Sequence, residues 1–138
     1  SLDHNNQAVE FVNSLPQRVY VLGDSQRLAQ VFVNVLHNAR DASTPSGKIM
    51  VEYRLSHNDL AEITISDQGH GMSSAELNQM FEPFFTSKDP GQGTGLGLAI
   101  ATSIVAEHHG AIRASSAGVG LGTRITITLP HHPNEEFV

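Results

Sequence analysis

The feature that most constrains this chain is the segment 91–100, GQGTGLGLAI, in which four glycines alternate with other residues and an apolar run follows at once. The apolar run continues to about His109 and predicts a helix that is buried on most sides. Because a glycine-rich loop leads straight into this helix, the free N–H groups and positive end of the helix favour an anion such as phosphate. The fold must therefore bury a helix while it leaves the N-terminus of that helix accessible.

Two well-known phosphate loops do not fit this segment. The dinucleotide-binding pattern GxGxxG would need a glycine at 96 or 98, where Leu96 and Leu98 stand. The P-loop needs GK[ST] before its helix, and that motif is absent. A flexible linker is disfavoured because a buried helix follows directly. The kind of phosphate site has to be inferred from other parts of the chain.

The composition fits one folded domain without a nucleic-acid partner. A chain of 138 residues, 39% hydrophobic and 16% charged, is long and apolar enough to form a core. The net charge of -6, with only 8 Lys and Arg residues, disfavours binding to nucleic acid. The absence of cysteine excludes disulfides, zinc–thiolate sites and thiol catalysis. No stretch approaches the ~20 apolar residues of a membrane span, and the start at Ser1 leads us to expect a piece of a longer protein.

Hydrophobic periodicity predicts helices at 24–43, 73–80 and 96–109 and strands at 9–12, 18–22, 48–56, 60–67, 111–116 and 123–129. Asp24 is a predicted N-cap, and Ser73 with Glu76 has the spacing of a capping box. Gly110 is the predicted C′ residue of the last helix. The strands 48–56 and 60–67 are separated by a short polar turn and form a predicted hairpin.

The order of these elements predicts an α+β fold. We expect a two-layer α/β sandwich in which about three helices cover one face of a mixed or antiparallel sheet of about five strands. One domain is expected at 9–130, after an N-terminal extension or linker at 1–8. The polar residues 131–138 are expected to form a flexible C-terminal tail.

Two asparagines, Asn34 and Asn38, lie four residues apart on the first predicted helix, beside its apolar stripe. A carboxamide oxygen is a hard, neutral ligand that suits Mg²⁺ held mainly by phosphates. The alternative is that both are ordinary polar residues on a solvated helix face, and the pair by itself favours that alternative.

Asp67 ends a predicted strand on the same side as Ile63 and Ile65, so its carboxylate faces the apolar interior. A buried carboxylate is costly unless a donor bonds to it, and an exocyclic amine such as adenine N6 is a suitable donor. Gly69 and Gly71 follow, and their missing side chains leave room for a flat ligand. The alternative for DQG by itself is an Asx turn with glycines at the bend.

The segment 80–88, MFEPFFTSK, holds Phe81, Phe84 and Phe85, half of the chain's six phenylalanines, just before the glycine-rich loop. We expect these side chains to anchor the loop to the core, and a functional interpretation adds that the anchor is the hinge of a lid. Lys88 supplies a cation at the edge of the loop. The lid, residues 82–95, is expected to be mobile without nucleotide.

The order of these motifs is far more specific than any one of them. N-x-x-x-N-A on a helix, D-x-G-x-G after a strand, a phenylalanine-rich segment and G-x-G-x-G-L-A-I into a helix follow one another. This order closely resembles the N, G1, F and G2 boxes of the ATP-binding catalytic domain of sensor histidine kinases, in the wider family that includes Hsp90, gyrase B and MutL ATPases. The resemblance covers 9–130, and FEPFFTSK and NARDA look most like the nitrogen and dicarboxylate sensors.

The resemblance implies a Bergerat-type sandwich that binds ATP and Mg²⁺. It implies that Asn38 coordinates Mg²⁺ and that Asn34 assists near the phosphates, which makes these two the catalytic residues. It also implies that Asp67 holds adenine N6 and that Thr123 lies beside the base. The rest of the implied nucleotide site comprises Gly71 and Met72, which line the base, and Asp41, Gly69, Phe85, Lys88, Gly93, Thr94, Gly95, Leu96, Gly97 and Leu98.

Within this resemblance, the residue at position 34 indicates whether a protein transfers the phosphoryl group of ATP to another protein group or hydrolyses ATP. The related ATP hydrolases place a glutamate four residues before the Mg²⁺ asparagine, where it activates water. This chain has Asn34 there, and because an amide is no general base, we expect phosphoryl transfer to a protein side chain. Many relatives also carry a lysine three residues after the Mg²⁺ asparagine, where this chain has Asp41. Arg40, Lys88 or a group elsewhere would then supply the positive charge.

No histidine of the sequence has the surroundings of a phosphoacceptor. Asp3-His4 lacks the acidic residue and proline expected after it, and His108 and His109 end a buried helix, where they suit the negative helix end. The resemblance implies that the acceptor is a histidine on a separate dimerisation domain of the same protein. It further implies that the phosphoryl group then passes to a response regulator receiver domain. The implied parent is a membrane-bound homodimer, a sensor protein of the inner membrane with this domain in the cytoplasm. The alternatives are an anti-sigma-type serine kinase of the same fold and a non-catalytic nucleotide-binding interaction module.

Overall fold

The structure is a computed structural model that describes residues 10–13, 21, 23–43, 47–56, 58–85 and 96–131. Its strands are β1 (Glu10–Asn13), β2 (Lys48–Leu55), β3 (Leu60–Ser66), β4 (Ala111–Ser115) and β5 (Arg124–Pro130). Its helices are α1 (Ser25–Ala42), α2 (Ser74–Gln79) and α3 (Gly97–Glu107). The predicted α+β class, with five strands and three helices in the described residues, is confirmed.

The strands form one mixed sheet in the order β1-β2-β3-β5-β4. β1 pairs in parallel with β2, whereas the β2–β3, β3–β5 and β4–β5 pairs are antiparallel. The predicted hairpin is the β2–β3 pair, whose register places Met50 opposite Ser66. Because β3 and β5 are neighbours, the end of β3 at Asp67 and the start of β5 at Thr123 lie side by side.

Some sequence predictions fall partly outside the described residues. The first predicted strand, 9–12, corresponds to β1. The observed strand begins and ends one residue later than predicted, at Glu10 and Asn13. Of the second, 18–22, only Val21 is described, and it forms an isolated antiparallel bridge with His131. The predicted extension 1–8 and residues 132–138 of the predicted tail 131–138 lie outside the described residues.

The core lies between the sheet and the helices. The buried positions of α1 recur every three or four residues and those of β3 alternate, as a helix and a strand with one covered face require. Strand β5, which lies between β3 and β4, is buried at every residue from 125 to 129. Each fully buried aliphatic side chain stabilises the fold by roughly 1.5–3 kcal/mol. The core side chains are Leu28, Val31, Val35 and Ala39 from α1, Ala101, Ile104 and Val105 from α3, Met72 and Met80 from beside α2, and Ile49, Ile65, Ile125, Ile127 and Leu129 from the strands.

Both predicted N-terminal caps are confirmed. The carboxylate of Asp24 accepts hydrogen bonds from the N–H groups of Gln26 at 3.0 Å and Arg27 at 3.2 Å. At α2 the hydroxyl of Ser73 accepts from the Glu76 N–H at 3.2 Å, and the Glu76 carboxylate accepts from the Ser73 N–H at 3.0 Å. These bonds satisfy N–H groups that a helix leaves unpaired at its start.

The C-terminal cap of α3 differs from the prediction by one residue. His109, not Gly110, takes the left-handed conformation, with φ 63°. The N–H groups of His109 and Gly110 donate to the carbonyls of Ala106 at 3.0 Å and Val105 at 2.9 Å, the pattern of a Schellman cap. Gly110 is required for a different reason, because a Cβ there would lie 2.2 Å from the carbonyl oxygen of Thr128.

His109→Gly is expected to raise the free energy of unfolding by about 1 kcal/mol, because glycine adopts a left-handed conformation without the Cβ clash. Urea unfolding monitored by circular dichroism measures the change. The matched control is His37→Gly, the same exchange at an exposed position inside α1, which should lower the free energy of unfolding. Effects of the same sign at both positions would contradict the explanation.

Candidate functional site

The carboxylate of Asp67 lies where β3 ends against β5. Its Oδ1 accepts hydrogen bonds from the N–H of Gly69 at 2.9 Å and of Thr123 at 3.1 Å. The Asp67 N–H donates in return to the Thr123 carbonyl at 2.9 Å. The structure therefore brings the two predicted site residues Asp67 and Thr123 together. It also contains the Asx turn that was the alternative interpretation of DQG.

The second carboxylate oxygen of Asp67, Oδ2, receives no hydrogen bond from any residue that the structure describes. Burial raises the pKa of Asp67 above its ordinary value, and the hydrogen bonds from Gly69 and Thr123 and the charge of nearby His70 only partly oppose this. The ionised group is thus short of donors. A ligand with an N–H group directed at Oδ2 would relieve this shortage.

The glycines after Asp67 serve the packing of the protein itself. We expected their missing side chains to leave room for a ligand, but backbone atoms take that room. A Cβ on Gly69 would lie 2.0 Å from the carbonyl oxygen of Ala42, and a Cβ on Gly71 would lie 2.1 Å from that of Gly118. Gly71 also has φ 67°, which favours glycine. Residues 67–72 therefore pack closely between the end of α1 and the β4–β5 loop.

Ser116 is a residue of this region that we did not predict from the sequence. Its hydroxyl accepts from the N–H of Met72 at 3.1 Å and lies 2.6 Å from the carbonyl oxygen of Gly122, to which it donates. The side chain of Met72 is buried in the core beneath. The run GVGLG before Thr123, with three glycines in five residues, was the signal in the sequence that this loop makes close backbone contacts.

The two asparagines of α1 have different surroundings. Asn34 Nδ2 donates to the carbonyl oxygen of Gly97 at 2.9 Å, and Asn34 Oδ1 accepts from Gln30 Nε2 at 2.6 Å. Asn38 is half-buried, and its carboxamide makes no hydrogen bond to a described residue. Asn34 therefore joins α1 to the first turn of α3, whereas the Asn38 carboxamide takes no part in such a contact among the described residues. Gln30 also escaped prediction, although it lies one turn before Asn34.

The N-terminus of α3 has no side-chain cap. Leu96 is the N-cap residue, its side chain forms no capping hydrogen bond, and the first turn contains no acidic residue. The first α-helical bond runs from the N–H of Ile100 to the carbonyl of Leu96 at 2.9 Å. Gly97 and Leu98 are half-buried in this first turn, and Leu98 packs against the core. This is the arrangement of N–H groups that a phosphate can bind.

The remaining predicted residues are placed as follows. Asp41 is exposed, 4.0 Å from the Arg40 guanidinium. Phe85 packs against the core together with Phe81, as expected of an anchor. Phe84 does not, because it adopts φ 68° and is 73% exposed. Outside the described residues lie Lys88, Gly93, Thr94 and Gly95.

Comparison with known proteins gives a match over most of the chain. Residues 23–133 match the family described as histidine kinase-, DNA gyrase B-, and HSP90-like ATPase. The chain is 41% identical over 110 residues to sensor histidine kinase ZraS of Salmonella typhimurium, and 34% identical over 136 residues to sporulation kinase E of Bacillus subtilis. These matches cover 80% and 99% of this chain but 23% and 18% of the two relatives, so it spans less than a quarter of their length.

A solved structure of a mycobacterial sensor histidine kinase, MprB, has the same fold. Its TM-score is 0.85 at 36% identity, and the match covers 95% of this chain and 89% of that chain. The sheet and helices described above are therefore those of a histidine kinase catalytic domain.

Asp67→Asn should make the nucleotide-free protein more stable at neutral pH. Because burial raises the pKa of Asp67, the folded state binds this proton more tightly than the unfolded state does. The stability contributed by the group is complete below its ordinary pKa of 3.8 and is lost as the pH rises through the folded-state pKa. Asparagine keeps an oxygen for the N–H groups of Gly69 and Thr123 and does not ionise.

Urea unfolding of the wild type and Asp67→Asn, from about pH 4 to about pH 8, measures the difference in free energy. The advantage of the variant should grow with pH and then level off. A difference that does not change with pH, or that shrinks, would contradict the account of Asp67.

Proposed function

We propose a function that starts from the family: the chain belongs to the histidine kinase-, DNA gyrase B- and HSP90-like ATPases. As the ATP-binding catalytic domain of a sensor histidine kinase, it donates the γ-phosphoryl group of Mg²⁺·ATP to a histidine on a separate dimerisation domain. The observation that carries the proposal is that α1 contacts both ends of one elongated site. The turn after Asp67 bonds to the end of α1, where the His70 N–H donates to the Ala42 carbonyl at 3.1 Å. The first turn of α3 bonds to the middle of α1. About 12 Å of helix separates residues 34 and 42, a length comparable with an extended nucleoside triphosphate.

Asp67 holds the adenine at one end of this site. Its Oδ1 is committed to Gly69 and Thr123, so Oδ2 accepts the hydrogen bond from the exocyclic amine. Gly71 and Met72 line the base, and Thr123 lies beside it. A carboxylate that lacks one donor in the free protein gains that donor when adenine binds.

Asn38 supplies the protein ligand to Mg²⁺ at the other end. Its half-buried amide oxygen is of the type that Mg²⁺ accepts when phosphates provide most of the other ligands. The ion, when bound, offsets the negative charge of the phosphates during transfer. The N–H groups at the start of α3, at Leu96, Gly97 and Leu98, bind the phosphates, and the proposal extends this role to Gly93, Thr94 and Gly95 of the loop before them.

The chemistry is transfer to a protein side chain and not hydrolysis. Residue 34 is an asparagine, whose amide cannot take a proton from water. One hydrogen of its NH₂ group bonds to the Gly97 carbonyl, and its oxygen accepts from Gln30. The domain therefore contributes position and charge stabilisation, which carry most of the catalysis in phosphoryl transfer. Arg40 and Lys88 are the candidates for a cation near the phosphates, since Asp41 stands where many relatives have lysine.

The partners follow from this chemistry. The phosphohistidine passes its phosphoryl group to an aspartate on a response regulator receiver domain, and the parent is a membrane-bound homodimer with this domain in the cytoplasm. Every helix in the described ranges is too short or too polar to cross a bilayer. A narrower assignment to nitrogen and dicarboxylate sensors rests only on FEPFFTSK and NARDA, and the relatives named above do not single out that subclass.

Asp67→Asn should weaken the binding of Mg²⁺·ATP at least about ten-fold, because a hydrogen bond to a charged acceptor contributes roughly 1.5–3 kcal/mol. Isothermal titration calorimetry measures the affinity. The matched control is Asp59→Asn, at an exposed residue with φ 60° that asparagine tolerates, and this variant should bind like the wild type.

Unchanged affinity in Asp67→Asn would remove this residue from the adenine site. A wild type that does not bind Mg²⁺·ATP would favour the non-catalytic interaction module.

With labelled ATP, the chain should not phosphorylate itself, but it should label the histidine-bearing dimerisation domain of its parent protein when that domain is added. The product should be acid-labile, as phosphohistidine is. An acid-stable phosphoserine on a partner would support the serine kinase alternative, and robust self-phosphorylation of the chain would contradict the proposal.

A further inference from the structure

We propose that Gln30 is a positioning residue, which fixes the orientation of the Asn34 carboxamide and thereby holds the phosphate end of the nucleotide site in its binding geometry. The inference rests on the proposed function. It names a residue that lies outside the implied nucleotide site and acts on it only through Asn34.

Three groups form a relay from the surface of α1 to the start of α3. Gln30 lies one turn before Asn34, and its Nε2 donates to Asn34 Oδ1 at 2.6 Å. Asn34 Nδ2 donates to the carbonyl oxygen of Gly97 at 2.9 Å, in the first turn of α3. Gln30 is exposed, whereas Asn34 is half-buried. The exposed glutamine is thus hydrogen-bonded to the amide that joins the two helices.

The donors and acceptors of this relay select one orientation of the Asn34 amide. The carbonyl of Gly97 can only accept, so it requires the NH₂ side of the amide. The oxygen side then faces Gln30, which supplies the donor that this oxygen needs. If the amide turned over, its oxygen would face the Gly97 oxygen and that contact would be lost, and its NH₂ group would face the NH₂ group of Gln30 unless Gln30 turned over as well. Gln30 therefore stabilises the orientation that Gly97 requires.

This orientation matters at the phosphates for two reasons. The NH₂ group of Asn34 has two hydrogens, and the bond to Gly97 uses one, so the second is left for an anionic oxygen. A reversed amide would offer an acceptor in its place and repel a phosphate. The bond to Gly97 also fixes the first turn of α3, whose N–H groups are the proposed phosphate donors.

A merely structural role for Gln30 predicts a different result. A polar pair four residues apart on a helix adds little to the stability of the helix, so the free energy of unfolding should hardly depend on Gln30. A positioning role predicts a loss of nucleotide affinity that is larger than this loss of stability. The two quantities can be measured on the same variants.

Three exchanges at position 30 separate the donor from the bulk of the side chain. Gln30→Met keeps the length without a donor, Gln30→Glu keeps the shape with acceptors only, and Gln30→Lys restores a donor. We expect the methionine and glutamate variants to bind Mg²⁺·ATP roughly five-fold more weakly in calorimetry, and the lysine variant to bind within about two-fold of the wild type. Gln26→Met, one turn earlier on α1, is the matched control and should bind like the wild type.

Each exchange is repeated in an Asn34→Ala background, where it should have no further effect if Gln30 acts through Asn34. This cycle also distinguishes positioning from the added charge of lysine, because a charge effect would persist without Asn34. Wild-type affinity in Gln30→Met, or an effect of Gln30→Met that survives in Asn34→Ala, would overturn the inference. A wild type that does not bind Mg²⁺·ATP would overturn the proposed function and this inference together, whereas a binding wild type with a neutral Gln30→Met would overturn the inference alone.

Discussion

The burial of one stripe of α1 decides where the polar groups of the site lie. Val31, Val35 and Ala39 are at most 2% exposed and pack into the core. Because a helix turns about 100° per residue, Asn34 and Asn38, each one residue before a core position, lie on the edge of this stripe. They are half-buried there, between core and solvent. A shift of α1 that moved the amides would also pull the apolar stripe out of the core, so packing energy holds the site in place.

The two carboxylate oxygens of Asp67 have different surroundings: one stabilises the fold, and the other is the one that we propose binds the ligand. Its Oδ1 closes the turn at Gly69 and ties that turn to β5 at Thr123. Its Oδ2 lacks a donor among the described residues, and burial makes the ionised group unfavourable in the free protein. A carboxylate that served only the turn could be replaced by an amide without loss. Burying this ionised carboxylate lowers the stability of the free protein. Unfavourable local interactions of this kind concentrate at functional sites, which supports a ligand-binding role for Asp67.

Periodic and local features of the fold were predictable from the sequence, whereas contacts between distant segments were not. The helix after Asp24, its cap and the alternating strands depend on neighbours within a few residues, and all are confirmed. The reason for Gly69 and Gly71 was predicted wrongly, because the atoms that crowd them come from the end of α1 and from the β4–β5 loop. Gln30 and Ser116 were missed since each is an ordinary polar residue until the fold supplies its partners. The order of motifs still identified the family, because order does not depend on such contacts.

Helix α3 is joined to α1 at both of the ends of α3, which bears on how the site can work. At one end Arg27 forms an ion pair with Glu107, and His108 Nε2 accepts the N–H of the α1 N-cap residue at 3.1 Å. At the other end Asn34 bonds to Gly97. An exposed ion pair contributes little stability, at most about 1 kcal/mol, but together these contacts fix the relative position of α1 and α3. The proposed metal ligand on one helix and the proposed phosphate donors on the other are then held in a fixed relative position before nucleotide binds. This lowers the ordering cost of binding and suits a reaction in which position, not proton transfer by residue 34, lowers the barrier.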